Sequence, residues 1–113
     1  MTHDDIRKIA LAWPEVEDGT CYGTSALEIR KKMLVRLQED GDSLVMPGVS
    51  LDEREMLVET QPKVFYFTDH YRDYPIVLIR LSKARRANVE PFLRRRWREL
   101  VSKKAVREYD AEG

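Results

Sequence analysis

At 113 residues, with 42% apolar and 35% charged side chains, the chain has the length of one domain whose core needs neither metal nor disulfide. It contains no run of about eighteen apolar residues, which excludes a membrane-spanning helix. The single cysteine, Cys21, excludes an internal disulfide and fits a reducing cytosol. The formal charge of zero is unevenly spread: residues 1–82 hold ten Lys/Arg against fifteen Asp/Glu, whereas residues 83–107 hold ten Lys/Arg against only Glu90 and Glu99. A one-signed segment of that kind is either a solvated helix face or an attractor for a polyanion.

The N-terminus, MTHDDIRKIALAWPEVED, lacks the basic and apolar regions of a signal peptide, so residues 1–113 read as a single cytoplasmic domain. Thr2 followed by Asp5 is a capping-box pattern. Ile6, Ile9, Ala10 and Trp13 then recur at helical spacing until Pro14 ends the helix. The turn-forming stretch EVEDGT reads as a loop. SALEIR and MLVRLQ read as strands joined at Lys31-Lys32, and Asp40-Gly41 as a hairpin turn leading to a third strand, SLVM. Ser50 with Glu53 forms a second capping-box pattern and opens a short helix to about Val58. VFYF and IVLIRL are two further β-rich runs, with residues 68–73 between them and Pro75 at the start of the last strand.

In the C-terminal segment Val89, Phe92, Leu93, Trp97, Leu100 and Val101 share one helical arc. Pro91 requires a place in the first turn, so the helix is expected to begin near Asn88 or Arg86. Arg94, Arg95 and Arg98 point away from the apolar arc. Arg96 falls within it, and either snorkels outward from the core edge or pairs with an acid from the sheet.

This order predicts an α+β fold: a two-layer sandwich with an antiparallel sheet of about five strands and the N- and C-terminal helices on one face. Trp13, Phe92, Leu93 and Trp97 are expected between helices and sheet. CYGTSALEIRKKMLVRLQEDGDSLVM followed by VFYFTDHYRDYPIVLIRL resembles the MmcQ/YjbR family of small bacterial proteins. The most specific residues are Tyr22-Gly23, Lys32, Gly41 to Leu44, and Thr68 through His70-Tyr71 to Tyr74-Pro75. The likeness runs from the first helix to Trp97. Leu27 and Lys31 stand where an aromatic residue and a glycine are common. The resemblance implies a double-wing sheet flanked by helices and a DNA-binding role inferred from shape, with no known reaction, cofactor or sequence target.

The aromatic stretch around residue 70 has two readings. Tyr71 and Tyr74 can lay their rings over the hairpin end while His70 bonds the loop backbone. Alternatively, Tyr22, His70, Tyr71 and Tyr74 line a shallow groove that stacks a base or binds a peptide. An enzymatic role is not expected. Cys21, His70 and Asp69 or Asp73 are nominally a nucleophile, base and orienter, but no hydrolase or nucleotide-fold motif occurs. The His and Cys content is too sparse for a metal site, and no cofactor is expected. Two functional classes remain. One is weak, sequence-tolerant DNA binding, with Arg30, Lys31 and Lys32 at a hairpin tip and Arg94, Arg95 and Arg98 on the last helix, opposed by the acidic tip at residues 39–42. The alternative is a chaperone-like protein-interaction module using a sheet face or edge, with no nucleic-acid or catalytic role and no membrane partner.

Overall fold

The computed structural model describes residues 1–21 and 23–112. Helix α1 (His3–Ala10) starts at the expected capping box: Thr2 Oγ1 accepts the Asp5 N–H, and the Asp5 carboxylate accepts the Thr2 N–H at 2.9 Å. Then follow β1 (Val16–Cys21), β2 (Thr24–Ile29), β3 (Lys32–Leu37), β4 (Ser43–Pro47), α2 (Leu51–Thr60), β5 (Phe65–Tyr66), β6 (Ile76–Arg80), α3 (Arg86–Leu100) and α4 (Lys103–Glu112). The described strands form one antiparallel sheet in the order β1-β2-β3-β4-β6-β5.

Alternation along these strands sorts their side chains onto two faces. Leu27, Leu34, Leu44, Met46 and Ile79 point to one face, where they meet Ile6 of α1 and Leu93 and Trp97 of α3, all fully buried. Burial of each such side chain contributes about 1.5–3 kcal/mol. Ala105 and Tyr109 of α4 extend this layer. The fold is therefore the expected α+β sandwich, with the terminal helices on one face of an antiparallel sheet. Trp13, Leu93 and Trp97 are buried as anticipated, whereas Phe92 is only half-buried, with its ring edge-on to Phe65.

Several details differ from the sequence reading. EVEDGT is largely strand β1, because β2 supplies a full antiparallel register from Val16↔Ile29 to Cys21↔Thr24. As an edge strand it tolerates Glu17 and Asp18, whose charges blunt the open edge. The Glu28 side chain uses the space that Gly19 leaves: a Cβ on Gly19 would lie 2.5 Å from the Glu28 carboxyl carbon, so that flexible side chain would have to move. Helix α3 begins at Arg86, with Asn88 in the first turn accepting the Arg85 N–H at 2.9 Å, so Asn88 is not its N-cap. Pro91 sits beyond that turn and is accommodated on the exposed side of the helix. The helix stops at Val101, whose backbone is extended (ψ 158), and Ser102 Oγ accepts the Ala105 N–H to start α4. Arg96 is bound by Glu99 of its own helix and by the Met33 carbonyl of β3, not by an acid from the sheet.

Among the described residues no α-helix packs on the apolar patch of the second face of the sheet. Val45 and Leu78 form that small patch, with Met33, Tyr66 and Ile76 at its margin. After β5 the chain leaves the sheet, makes a 3-10 turn (Asp69–Tyr71) and lays Tyr71 on this patch. Arg54 of α2 holds that segment down. It is 5% exposed and donates to the carbonyls of Tyr71, Arg72, Tyr74 and Ile76 at 2.7–3.1 Å. Its guanidinium also lies 3.8 Å from the centre of the Phe67 ring.

Candidate functional site

The β2–β3 hairpin pairs Ile29 with Lys32, so its two-residue turn is Arg30-Lys31, one position before the expected one. Both residues have positive φ, 52° and 67°. This is the primed-turn geometry for which Asn-Gly is the unstrained choice, and each L-residue held there costs roughly 1–2 kcal/mol. Arg30, Lys31 and Lys32 are exposed, and no carboxylate among the described residues pairs with them. Arg30 and Lys32 border a cavity of about 180 Å³ with Leu100, at the end of α3.

The three arginines expected to join them are engaged elsewhere. Arg95 makes a bidentate pair with Glu53 of α2, at 3.0 and 2.7 Å, and donates to the Gly48 carbonyl. Arg98 holds Asp110 of α4 in the same fork geometry, at 3.2 and 2.7 Å. Arg94 shares Glu90 with Arg86. These bonds raise the proton affinity of Arg95 and Arg98, and the Arg98 fork holds the Asp110 carboxyl below the usual carboxylate range. Arg94, Arg95 and Arg98 do share one surface groove, but Glu90 is part of its wall. Among the described residues, Lys103, Lys104 and Arg107 of α4 are exposed and form no ion pair with a carboxylate. Lys103 and Arg107 line a cavity of about 400 Å³ with Arg98, Val101 and Val106. Leu100 borders the cavity of the hairpin tip, and its neighbour Val101 the cavity of α4.

The opposing acidic tip is built for turn geometry. Asp40 accepts the Asp42 and Ser43 N–H groups and the Ser43 hydroxyl, at 2.7–2.9 Å, and these bonds hold its carboxyl below the ordinary range. Asp42 accepts from the Ser82 N–H and hydroxyl, tying the tip to the start of the β6–α3 connection. Gly41, with φ 73°, closes the turn as expected. Of the carboxylates at this tip, Glu39 alone makes no such bond with a described residue.

Of the four aromatic-groove residues, Tyr22 lies outside the described residues. Tyr71 is buried, and its hydroxyl accepts a 2.7 Å bond from Arg36 Nη2. Tyr74 is 58% exposed and serves through its backbone: its N–H donates to the Tyr71 carbonyl, and its own carbonyl accepts from Arg54 and from the Ile76 N–H. His70 makes no bond to the loop backbone; its ring stands edge-on to Tyr71, with centroids 4.7 Å apart. The groove is therefore reshaped: His70 and Tyr71 line a cleft of about 510 Å³ with Arg36, Gln38, Glu39 and Thr68, and Tyr74 stays off its wall. Sequence reading missed Arg36, Gln38 and Thr68, for which the i, i+2 spacing of Arg36 and Gln38 on one strand face was the available signal. The two tyrosines should respond very differently to substitution. Tyr74→Ala is expected to change the unfolding free energy by no more than about 0.5 kcal/mol. Tyr71→Phe, which removes the bond to a charged partner, should lower it by about 1.5–3 kcal/mol. Urea unfolding of both variants checks this, and equal effects would contradict the placement of the two rings.

Cys21 is a half-buried free thiol at the end of β1, and Asp69 is paired with Arg72. Among the described residues no hydrogen bond joins Cys21, His70 and either Asp69 or Asp73. Comparison with models of known families, with curated proteins and with solved structures finds no match for this chain. No helix among the described residues is long and apolar enough to cross a membrane.

Proposed function

We propose that this chain is a DNA-binding domain of the MmcQ/YjbR type that grips duplex backbone weakly and without sequence preference, using Arg30, Lys31 and Lys32 with Lys103, Lys104 and Arg107. The observation that carries the reading is the Arg30-Lys31 turn, where two exposed cations occupy left-handed backbone that Asn-Gly would adopt without strain. Strain of this kind persists where a site needs it. In the MmcQ/YjbR-like pattern a glycine is common where Lys31 stands, and a φ of 67° is the conformation that glycine favours. Lys103 and Lys104 repeat the theme. They lie in the first turn of α4, where the helix dipole disfavours cations and attracts anions.

Arg94, Arg95 and Arg98 play a smaller part in this reading than their position suggests. Each would have to release a carboxylate to take a phosphate. About three to four phosphates are engaged at once, so log affinity should fall with log salt at about −0.9 per contact, from dissociation constants of roughly 10⁻⁴–10⁻⁶ M.

The test separates stability from binding. The double substitution Arg30→Asn with Lys31→Gly should stabilise the fold by about 1–2 kcal/mol, because the turn strain is relieved. It should also weaken binding and make the salt slope shallower by about two contacts. Fluorescence anisotropy with a labelled duplex at several salt concentrations measures the second effect, and urea unfolding the first. A more stable variant with undiminished binding would remove the tip from the interface.

A further inference from the structure

The angle between the end of α3 and the start of α4 holds a cavity of about 400 Å³, lined by Arg98, Val101, Lys103, Val106 and Arg107. Its floor is apolar: Val101 is buried, and half-buried Val106 packs against the same core. The charge of Arg98 is already met by its fork to Asp110. Lys103 and Arg107 are different. They stand four residues apart on α4, so they are neighbours on its surface. Both are exposed, and neither forms an ion pair with a described residue. Like charges at that spacing destabilise a helix, and no carboxylate is among the residues that line the cavity. Glu15 accepts from the Ser102 hydroxyl at 2.6 Å and lies outside the lining.

Two demands therefore fall on a ligand: an anionic group for a pair of like charges, and apolar surface for the valines between them. The volume is at the lower end of the range of small-molecule sites. Inorganic phosphate would meet the cations and leave the valines uncovered. An uncharged apolar molecule would leave the like charges unrelieved. A nucleobase finds no aromatic ring in the lining on which to stack. An aliphatic chain that ends in a carboxylate meets both demands. Its head bridges Lys103 and Arg107, and its chain covers Val101, Val106 and the apolar stems of the two cations. We infer that this cavity binds a medium-chain aliphatic carboxylate of about eight carbons. Lys103 and Arg107 also belong to the set assigned to DNA, but the inference does not rest on that reading and its test contains no nucleic acid.

The experiment is an NMR titration of the ¹⁵N-labelled protein with sodium octanoate. Acetate (the head without the chain), octanamide (the chain without the charge) and inorganic phosphate serve as comparisons. The expected result is saturable shifts confined to residues 98–107 at about millimolar octanoate, with each comparison binding at least about tenfold more weakly. Arg107→Glu places a carboxylate beside Lys103 from the chain itself. It should abolish octanoate binding while the urea midpoint stays at or above that of the parent protein, an outcome that loss of folding could not produce. Lys63→Gln, which removes one exposed positive charge outside the cavity, should leave octanoate binding unchanged. Absence of saturable shifts at the cavity would overturn the inference. So would acetate, phosphate or octanamide binding as well as octanoate, or undiminished binding by the Arg107→Glu protein.

Discussion

Arg54→Ala should lower the unfolding free energy by about 3–5 kcal/mol, the range expected when one member of a buried charged cluster is deleted. A single guanidinium on α2 satisfies the carbonyls of residues 71, 72, 74 and 76 and stacks on Phe67. Its removal strands several carbonyls under cover, each at about 1–3 kcal/mol if no water reaches it. Lysine is a poor substitute, because its point charge cannot fork across carbonyls spread along a loop. Urea unfolding measures the loss. Hydrogen exchange should show that residues 68–74 open first, because without the clamp that segment is held to the rest of the chain chiefly by the Tyr71 ring and its bond to Arg36, whereas Pro75 and Ile76 are still bonded to the end of β4 and the turn after it. A loss under about 1 kcal/mol would mean that water replaces the clamp. Without the clamp Tyr71 and His70 lose their places, and the cleft they line loses its shape.

Trp97→Ala should be of similar size, about 3–5 kcal/mol, but should loosen the other layer. Trp97 is fully buried, packs 5.7 Å from Trp13 and 4.9 Å from Tyr109 by ring centroid, and donates Nε1–H to the Pro14 carbonyl at 2.9 Å. One side chain therefore joins the end of α1, the approach to β1, and α4. Trp97→Phe isolates part of this. It keeps most of the apolar volume and leaves the Pro14 carbonyl without its donor, for an expected loss of about 1–3 kcal/mol. Guanidinium unfolding with both variants checks the order. Because α4 rests on Trp97 through Tyr109, the alanine variant should also weaken the α4 part of the proposed DNA contact while leaving the hairpin tip intact.

The legible parts of the fold were those encoded locally. The N-caps of α1 and α2 (Thr2, and Ser50, whose Oγ accepts the Glu53 N–H), the Gly41 turn and the apolar periodicity of α1 and α3 each lie within a few residues, so spacing alone exposes them. Strand β1 was hidden because its composition is that of a turn and its strand character comes from pairing with β2. The break before α4 was hidden because Leu100 and Val101 prolong the α3 stripe, leaving Ser102 as the only local stop-and-start signal. The same division holds for the site. The Glu90–Arg94 pair at i, i+4 could be read from the sequence, but Glu53 is 42 residues from Arg95 and Asp110 is 12 from Arg98, so only the fold brings them together. The strain at Arg30-Lys31 was invisible for a related reason: a basic pair at a hairpin tip looks like ordinary solubilising charge until its φ angles are known.

The most direct measurement of the proposed DNA contact is an NMR titration of the ¹⁵N-labelled protein with a short duplex at low salt. The proposal predicts fast-exchange shifts concentrated at residues 30–32 and 103–107, disappearing as salt is raised, with the Arg94 to Arg98 groove little changed. Shifts centred on that groove, or none at all at high protein and duplex concentration, would contradict it.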